Sequence, residues 1–185
     1  CKEGLGEDSY VHERNLGGQV HETAPRLDVT AGTVDLQRIW NDSNHFEPEM
    51  ASRMGLRWYK SRSVFHYYPD GKSFVRSGKP LPAYQRRAFL TLIAFLGGRL
   101  ELGCSFNLMT KPMLHDLTRL YPIFPSIRSP RPVDMLVQPD HPSVYAYEVE
   151  EGWIQVLLVN NGKKRSVIST VLSADSVEEG GLGLD

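Results

Sequence analysis

Several features that would assign a function at once are missing from this sequence. It has only two cysteines in 185 residues, Cys1 and Cys104, and neither belongs to a Cys-x-x-Cys pair. The spacing therefore indicates neither a zinc site nor a redox motif, while a disulfide between the two stays open. No run approaches the roughly 18 apolar residues that span a bilayer, so we expect no membrane partner.

An excess of charge of either sign is missing too. Twenty-one Lys and Arg residues oppose 22 Asp and Glu residues, the formal net charge is −1, and the longest basic run is Lys163-Lys164-Arg165. Nucleic-acid-binding domains usually carry a basic patch or stripe, so we expect no nucleic-acid partner. His115 and His141 have no second His or carboxylate at ligand spacing, which predicts surface residues rather than metal ligands. No motif indicates a cofactor.

Of the 185 residues, 41% are hydrophobic, which is enough for a core. Strand and helix signals alternate over the first 120 residues. The predicted strands are 9–15, 33–40, 63–68 and 100–106, and the predicted helices are 49–60, 83–95 and one that Thr110 caps and that runs to residue 120. This alternation at βα spacing predicts a parallel sheet with helices outside it.

The pattern changes after a proline-rich segment. Four prolines between residues 121 and 133 predict a linker at 122–133, which separates residues 1–121 from residues 134–185. Beyond the linker, β-rich runs at 134–137, 144–149, 153–160 and 166–172 predict antiparallel strands with turns between them. Four short strands do not close a sandwich, so we expect this second domain to be incomplete.

The most informative segment is 34–43, which predicts a half-buried strand that delivers Arg38 and, four residues later, Asp42 into a loop. Barrels of eight β/α units keep their catalytic groups at the carboxyl ends of strands and in the loops that follow. A solvated surface salt bridge is the simpler interpretation of such a pair. Trp40 favours the functional one, because an aromatic wall among hydrogen-bonding side chains is typical of a sugar site.

Five groups of segments follow one another in an order found in a known enzyme family. They are Gly6-Glu7-Asp8-Ser9-Tyr10; residues 31–39 with Asp42; Tyr68-Pro69-Asp70; residues 88–98; and Arg131-Pro132-Val133-Asp134 with 152–160. Together they resemble the retaining α-galactosidases, the melibiase-type glycoside hydrolases, over nearly the whole chain. The resemblance implies an α/β fold: the second half of a (β/α)8 TIM-type barrel, followed by part of an antiparallel β-sandwich.

The resemblance also implies roles for single residues in the hydrolysis of terminal α-linked sugars by double displacement. Asp42 matches the general acid/base of the sixth strand, and Arg38 matches an Arg that helps to hold a sugar hydroxyl. Asp70 matches a substrate-binding carboxylate after the seventh strand, although His66-Tyr67-Tyr68 replaces the usual Trp-Asn-Asp there. Retaining enzymes also need a nucleophile. In this family it ends the fourth strand, so we expect it to precede Cys1.

A run of four polar residues, His12-Glu13-Arg14-Asn15, stands where the family has a Cys and small residues around the sugar. Four such groups are costly to bury unpaired, so they either face a polar ligand or pair with one another. We take His12, Glu13, Arg14 and Trp40 as substrate-binding candidates. The sugar recognised need not be galactose.

Three functions stay open. The chain can belong to an α-galactosidase-like hydrolase that is inactive without the rest of its barrel, or it can be a non-catalytic carbohydrate-binding or structural fragment. A raffinose-synthase-like transglycosylase differs only in whether water or a sugar hydroxyl resolves the glycosyl-enzyme. Half a barrel leaves open sheet edges, so we expect self-association or a partner chain that supplies the missing half.

The polar run predicts that Arg14 contributes to specificity, because a guanidinium suits bidentate binding of a carboxylate such as that of a uronic acid. In the complete enzyme, Arg14→Ala should lose a preference for acidic aryl glycosides that the wild type shows. Hydrogen-bonded recognition of one group can discriminate by about 10⁴ to 10⁵. Hydrolysis rates on acidic and neutral aryl glycosides measure the change. If an α-galactoside is the best substrate of both proteins, the run is structural.

Overall fold

The computed structural model describes residues 2–13, 32–39, 48–59, 61, 63–64, 66–68, 74–76, 78–96, 99–120, 129–162 and 164–170. The helices within these ranges are α1 (Lys2–Leu5), α2 (Pro48–Gly55), α3 (Ala83–Leu96) and α4 (Lys111–Thr118), with a 3-10 turn at Phe106–Leu108. The strands are β1 (His12–Glu13), β2 (Leu36–Arg38), β3 (His66–Tyr68), β4 (Val75–Arg76), β5 (Lys79–Pro80), β6 (Arg131–Pro132), β7 (Val144–Glu150) and β8 (Trp153–Leu158).

A parallel sheet of three short strands, in the order β1-β2-β3, occupies the first part of the chain. The Asp35 carboxylate accepts a hydrogen bond of 2.7 Å from the backbone N–H of Val11, and the Asp35 carbonyl accepts one of 2.7 Å from the N–H of His66. Asp35 therefore ties β2 to both neighbours. Parallel pairing is what the alternation predicts. None of the sheets in the described ranges closes into a barrel, so the half-barrel stays a prediction.

Helices α2 and α3 cover one face of this sheet. Ile39 and Tyr67 share an apolar cluster with residues of the two helices: Met50, Ala51, Met54, Phe89, Leu92, Ile93, Phe95 and Leu96. Helix α3 also contributes Leu90 to a second cluster with Phe74, Met109, Met113 and Leu117. Because it lies between two clusters, α3 is apolar over more of its circumference than a surface helix. Prolines before it and glycines after it predicted both of its ends to within one residue.

The hairpin of β7 and β8 packs on the same core. Tyr145, Tyr147 and Val159 belong to the first cluster, and the rings of Phe95 and Tyr147 meet edge to face with centroids 5.1 Å apart. The antiparallel order β6-β7-β8 agrees with the predicted pairing for 144–149 and 153–160. Gly152 closes the hairpin at φ +77°, a conformation that glycine adopts without strain.

Part of the predicted linker 122–133 is packed rather than exposed. The Ser129 hydroxyl donates to the Ser61 carbonyl at 3.0 Å, and Pro130 is fully buried. The Arg131 guanidinium lies over the Trp58 ring, 5.6 Å from its centroid. The described end of this segment, residues 129–133, therefore contacts the turn that follows helix α2. The predicted division into domains stays a prediction.

Two strands predicted after the linker are wrong. Residues 134–137 form a turn, because the Asp134 carboxylate accepts hydrogen bonds from the backbone N–H groups of Ser143 (2.9 Å) and Val144 (3.1 Å), and its carbonyl accepts one from Gln138. Such side-chain bonds compete with a strand ladder. The described part of 166–172, residues 166–170, is not a strand either. Val167 is 93% exposed there.

The predicted strand 100–106 is also wrong, although its alternation has a structural basis. Leu100, Leu102 and Cys104 pack against the second cluster, as alternate residues of an extended chain do. Only Leu102 forms a bridge, and the chain turns into the 3-10 segment at Phe106. Cys104 is a free thiol in this structure.

Helix α2 is shorter than the predicted helix 49–60. It ends at Gly55, where the last bonds tighten: the N–H of Arg57 donates to the carbonyl of Met54, and that of Trp58 to the carbonyl of Gly55. Helix α4 begins after Thr110 as predicted. Among the helices described, none is long and apolar enough to cross a membrane.

A buried ion pair joins α3 to α4. Arg86 donates from Nε (3.0 Å) and Nη2 to one oxygen of Asp116, and Arg87 donates from Nε to the other at 3.0 Å. The side chains of Arg86 and Asp116 are 4% and 5% exposed. Burial raises the pKa of the Asp116 carboxyl, but the hydrogen bonds and charges of the two arginines lower it by more, so that pKa lies below its ordinary value.

This pair predicts that Asp116→Asn lowers the free energy of unfolding at pH 7 by about 3–5 kcal/mol, because it leaves a buried guanidinium uncompensated. The matched change Arg87→Gln should cost at most about 1 kcal/mol, since that side chain is 64% exposed. Urea unfolding at neutral pH measures both. Equal stability of Asp116→Asn and wild type would contradict the assigned role.

The stability that Asp116 contributes should depend on pH. Because the folded-state pKa of Asp116 is depressed, its stabilisation is present above the pKa of an unfolded aspartate, about 3.9, and is lost as the pH falls through the lower folded-state pKa. The deficit of Asp116→Asn should therefore shrink in strongly acid solution. A deficit that stays constant down to that range would count against the pair as its cause.

Candidate functional site

Two aromatic side chains, His12 and Tyr68, are in contact at the parallel sheet, and Arg38 ends the strand that lies between them. Arg38 of β2 is in register with Tyr68 of β3, each as the last residue of its strand. The rings of His12 and Tyr68 meet edge to face, with centroids 4.8 Å apart and planes at 68°. The register and the ring contact place His12, Arg38 and Tyr68 on one face of the sheet.

Among the described helices, α2 and α3 pack on the opposite face of the sheet. Successive residues of a strand point to opposite faces, so Tyr67 and Tyr68 are divided between them. Tyr67 belongs to the cluster with α2 and α3, and burial raises its pKa to about 12. Leu36 and Tyr68 are each 0% exposed, yet neither belongs to the two apolar clusters. The sheet therefore has an apolar helix-covered face and a second face that carries the candidate site.

The chemistry of the three groups suits a ligand rich in hydroxyls. Arg38 is half-buried and presents a guanidinium with up to five N–H donors, whereas an imidazole and a phenol both donate and accept. The Nε2 atom of His12 and the phenolic oxygen of Tyr68 are buried atoms. Polar groups held in a partly buried place can discriminate between hydroxyl patterns, because an analogue that lacks one hydroxyl leaves them unpaired.

The structure describes three of the seven predicted site residues. His12 and Arg38 lie on the same face of the sheet, with His12 beside the first residue of β2 and Arg38 at its last. The backbone of Glu13 pairs with Gln37 in β2. The other predicted residues, Arg14, Trp40, Asp42 and Asp70, lie outside the described residues, so their roles stay predictions.

Tyr68 is a candidate site residue that the sequence indicates only as part of an altered motif. The signal was its position as the last residue before Pro69, at a strand end. Its contact with His12 depends on the register of β1 and β3 across β2, which no local pattern specifies.

The described residues form no cluster suited to a metal ion. Within the described ranges, no three His, Cys, Asp or Glu side chains converge to hold a metal ion. His115 and His141 are both exposed, as predicted. Comparison with protein-family models, with curated proteins and with solved structures gives no match to this chain.

The two tyrosines of β3 provide a matched pair of variants. Tyr68→Phe keeps the ring buried against His12 and removes the hydroxyl, so the free energy of unfolding should fall by no more than about 1.5 kcal/mol. Affinity for a monosaccharide that binds at this face should fall about tenfold. Tyr67→Phe makes the same change on the helix-covered face and should leave the affinity unchanged. Urea unfolding and calorimetric titration measure the two effects. Equal affinities of the two variants would remove Tyr68 from the site.

Proposed function

We propose that this chain forms part of a retaining α-glycoside hydrolase of the α-galactosidase type, with the sugar bound at the carboxyl end of the parallel sheet. The observation that carries the proposal is the placement of His12, Arg38 and Tyr68 on the face opposite to the one on which the described helices α2 and α3 pack. Catalytic groups of β/α barrels come from this end of the strands. The order of motifs resembling the melibiase-type enzymes supports the same class.

In this proposal Arg38 is a binding group. Its position at the end of β2 and its half-buried side chain allow it to donate hydrogen bonds to a sugar hydroxyl while one side of the guanidinium stays near solvent. His12 and Tyr68 supply a second side of the sugar site, where ring faces and edges contact C–H groups and their polar atoms contact hydroxyls.

The proposed chemistry is a double displacement. A nucleophilic carboxylate attacks the anomeric carbon while Asp42, four residues after Arg38 in the sequence, protonates the departing oxygen. Asp42 then takes a proton from water, which attacks the anomeric carbon and releases the nucleophile. The two carboxyl groups of retaining enzymes lie roughly 5–5.5 Å apart. Another strand of the barrel supplies the nucleophile in this scheme.

The test uses the protein that contains the nucleophile strand. Asp42→Asn should lower turnover of glycosides with poor leaving groups by about 10² to 10⁴, the usual contribution of a general acid. An activated aryl glycoside needs little protonation, so it should still form the glycosyl-enzyme at a rate close to that of the wild type. Burst and steady-state kinetics on the two substrate types separate these steps.

The control variant is Glu151→Gln, which neutralises an exposed carboxylate in the turn between β7 and β8. It should leave both rates unchanged. If Asp42→Asn cleaves both substrate types at the wild-type rate, Asp42 is not the acid/base. If the wild type binds sugars but turns over neither substrate, the chain has a carbohydrate-binding function without catalysis.

A further inference from the structure

The segment that follows β8 is joined to the segment before β7 by one side chain. Nδ2 of Asn161 donates hydrogen bonds to the carbonyls of His141 (2.8 Å) and Pro142 (3.2 Å) and to the hydroxyl of Ser143 (3.1 Å). These three bonds, the Asn161 clamp, continue the contact between the two segments past the end of the β7–β8 ladder. The amide of Asn161 therefore positions residues 141–143.

The Asn161 clamp lies in a partly buried environment that suits a neutral amide. Pro142 and Ser143 are buried, and Oδ1 of Asn161 is a buried atom. The backbone N–H of Ser143 donates to the carboxylate of Asp134 at 2.9 Å. An amide donates to the two carbonyl oxygens and adds no second negative charge near Asp134.

The residue after Asn161 is a glycine, and asparagine before glycine is prone to deamidation. Asparagine is a thermolabile residue, and glycine has no side chain to hinder attack by its own backbone nitrogen. In this reaction the nitrogen of Gly162 loses its proton and forms a bond with Cγ of Asn161. The bond between Cγ and Nδ2 breaks, and ammonia leaves. Water then opens the cyclic imide to give aspartate or isoaspartate, with no change of oxidation state.

The folded structure restrains both groups that must react. The N–H of Gly162 donates to Oδ1 of Asn160 at 2.9 Å, and Nδ2 of Asn160 donates to the carbonyl of Lys164, also at 2.9 Å. The attacking nitrogen is thus held by one asparagine, while the amide that it must reach is held by the Asn161 clamp. Local opening of this turn frees both groups, so the reaction should depend on that opening.

We propose that Asn161 is a deamidation site that the fold protects, and that its conversion to aspartate or isoaspartate is a one-way switch that releases residues 141–143. The product carboxylate has no hydrogen to donate to the two carbonyls, and its charge lies close to their oxygens and to Asp134. An ionised group is costly in a partly buried environment without a partner. The Asn161 clamp therefore does not re-form after the reaction. This switch involves none of the candidate sugar-site residues.

The first test compares deamidation of the complete chain in native buffer and in concentrated urea at one mildly alkaline pH. Tandem mass spectrometry of peptides distinguishes conversion at Asn161 from conversion at Asn160, and enzymatic methylation detects isoaspartate. Conversion at Asn161 should be at least about tenfold faster in urea, because three hydrogen bonds hold its amide in the folded chain. Equal rates in the two solutions, or no conversion at Asn161 in either, overturn the proposal.

Two variants separate the protection by the fold from the chemistry of the dipeptide. Asn160→Ala removes the acceptor that holds the N–H of Gly162, so conversion at Asn161 should be roughly fivefold faster in native buffer and unchanged in urea. Gly162→Ala adds a side chain beside the attacking nitrogen and should slow the conversion in urea as well. If Asn160→Ala leaves the native rate unchanged, or Gly162→Ala leaves the rate in urea unchanged, the assigned route is wrong.

The product variant Asn161→Asp tests the switch itself. It should lower the equilibrium constant for folding about 10- to 100-fold at neutral pH, because the Asn161 clamp is lost and a charge is added near Asp134. The matched variant Asn160→Asp adds the same charge at an exposed residue and keeps an acceptor for Gly162, so it should change that constant less than about threefold. Urea unfolding measures both. Equal stabilities of the two variants would show that deamidation at Asn161 switches nothing.

Discussion

The ring of Tyr145 lies directly on the backbone of Gly55, and the packing of the described structure depends on this contact. A Cβ at position 55 would lie 2.0 Å from Cε1 of Tyr145, so only a glycine allows β7 to approach the end of α2 so closely. Tyr145 is 0% exposed, and burial raises its pKa above the ordinary value, so it stays a neutral phenol in the core. One position without a side chain thus lets the hairpin share a core with the helices.

Helix α2 consequently has neighbours on both sides. Met50, Ala51 and Met54 pack in the cluster that includes Tyr67 of the parallel sheet, while Gly55 receives the hairpin. The turn after Gly55 then carries Arg57 to the segment before β7. Helix α2 therefore packs against both the parallel sheet and the hairpin.

The accuracy of the sequence predictions follows the range of the interactions involved. The ends of α3 and the start of α4 were predicted from prolines, glycines and Thr110, all of which act within a few residues. The strands β7 and β8 were predicted from local β-rich composition between turn residues. Residues 134–137 were not, because the Asp134 carboxylate bonds to backbone groups nine and ten residues further on. The composition of 134–137 predicts a strand, but these longer-range hydrogen bonds stabilise a turn instead.

The polar residues show the same dependence on the range of the interactions. His12 and Arg38 were predicted because each stands at the end of a strand signal, whereas the role of Tyr68 depends on the register that carries β3 to β1 across β2. The contact between Ser52 and His141 was not predicted, since the two residues are 89 apart in sequence. His141 was assigned to the surface for lack of a nearby ligand partner. It is exposed, and its Nδ1 lies 3.0 Å from the Ser52 hydroxyl, so a histidine without partners nearby in sequence still joins two distant parts of the chain.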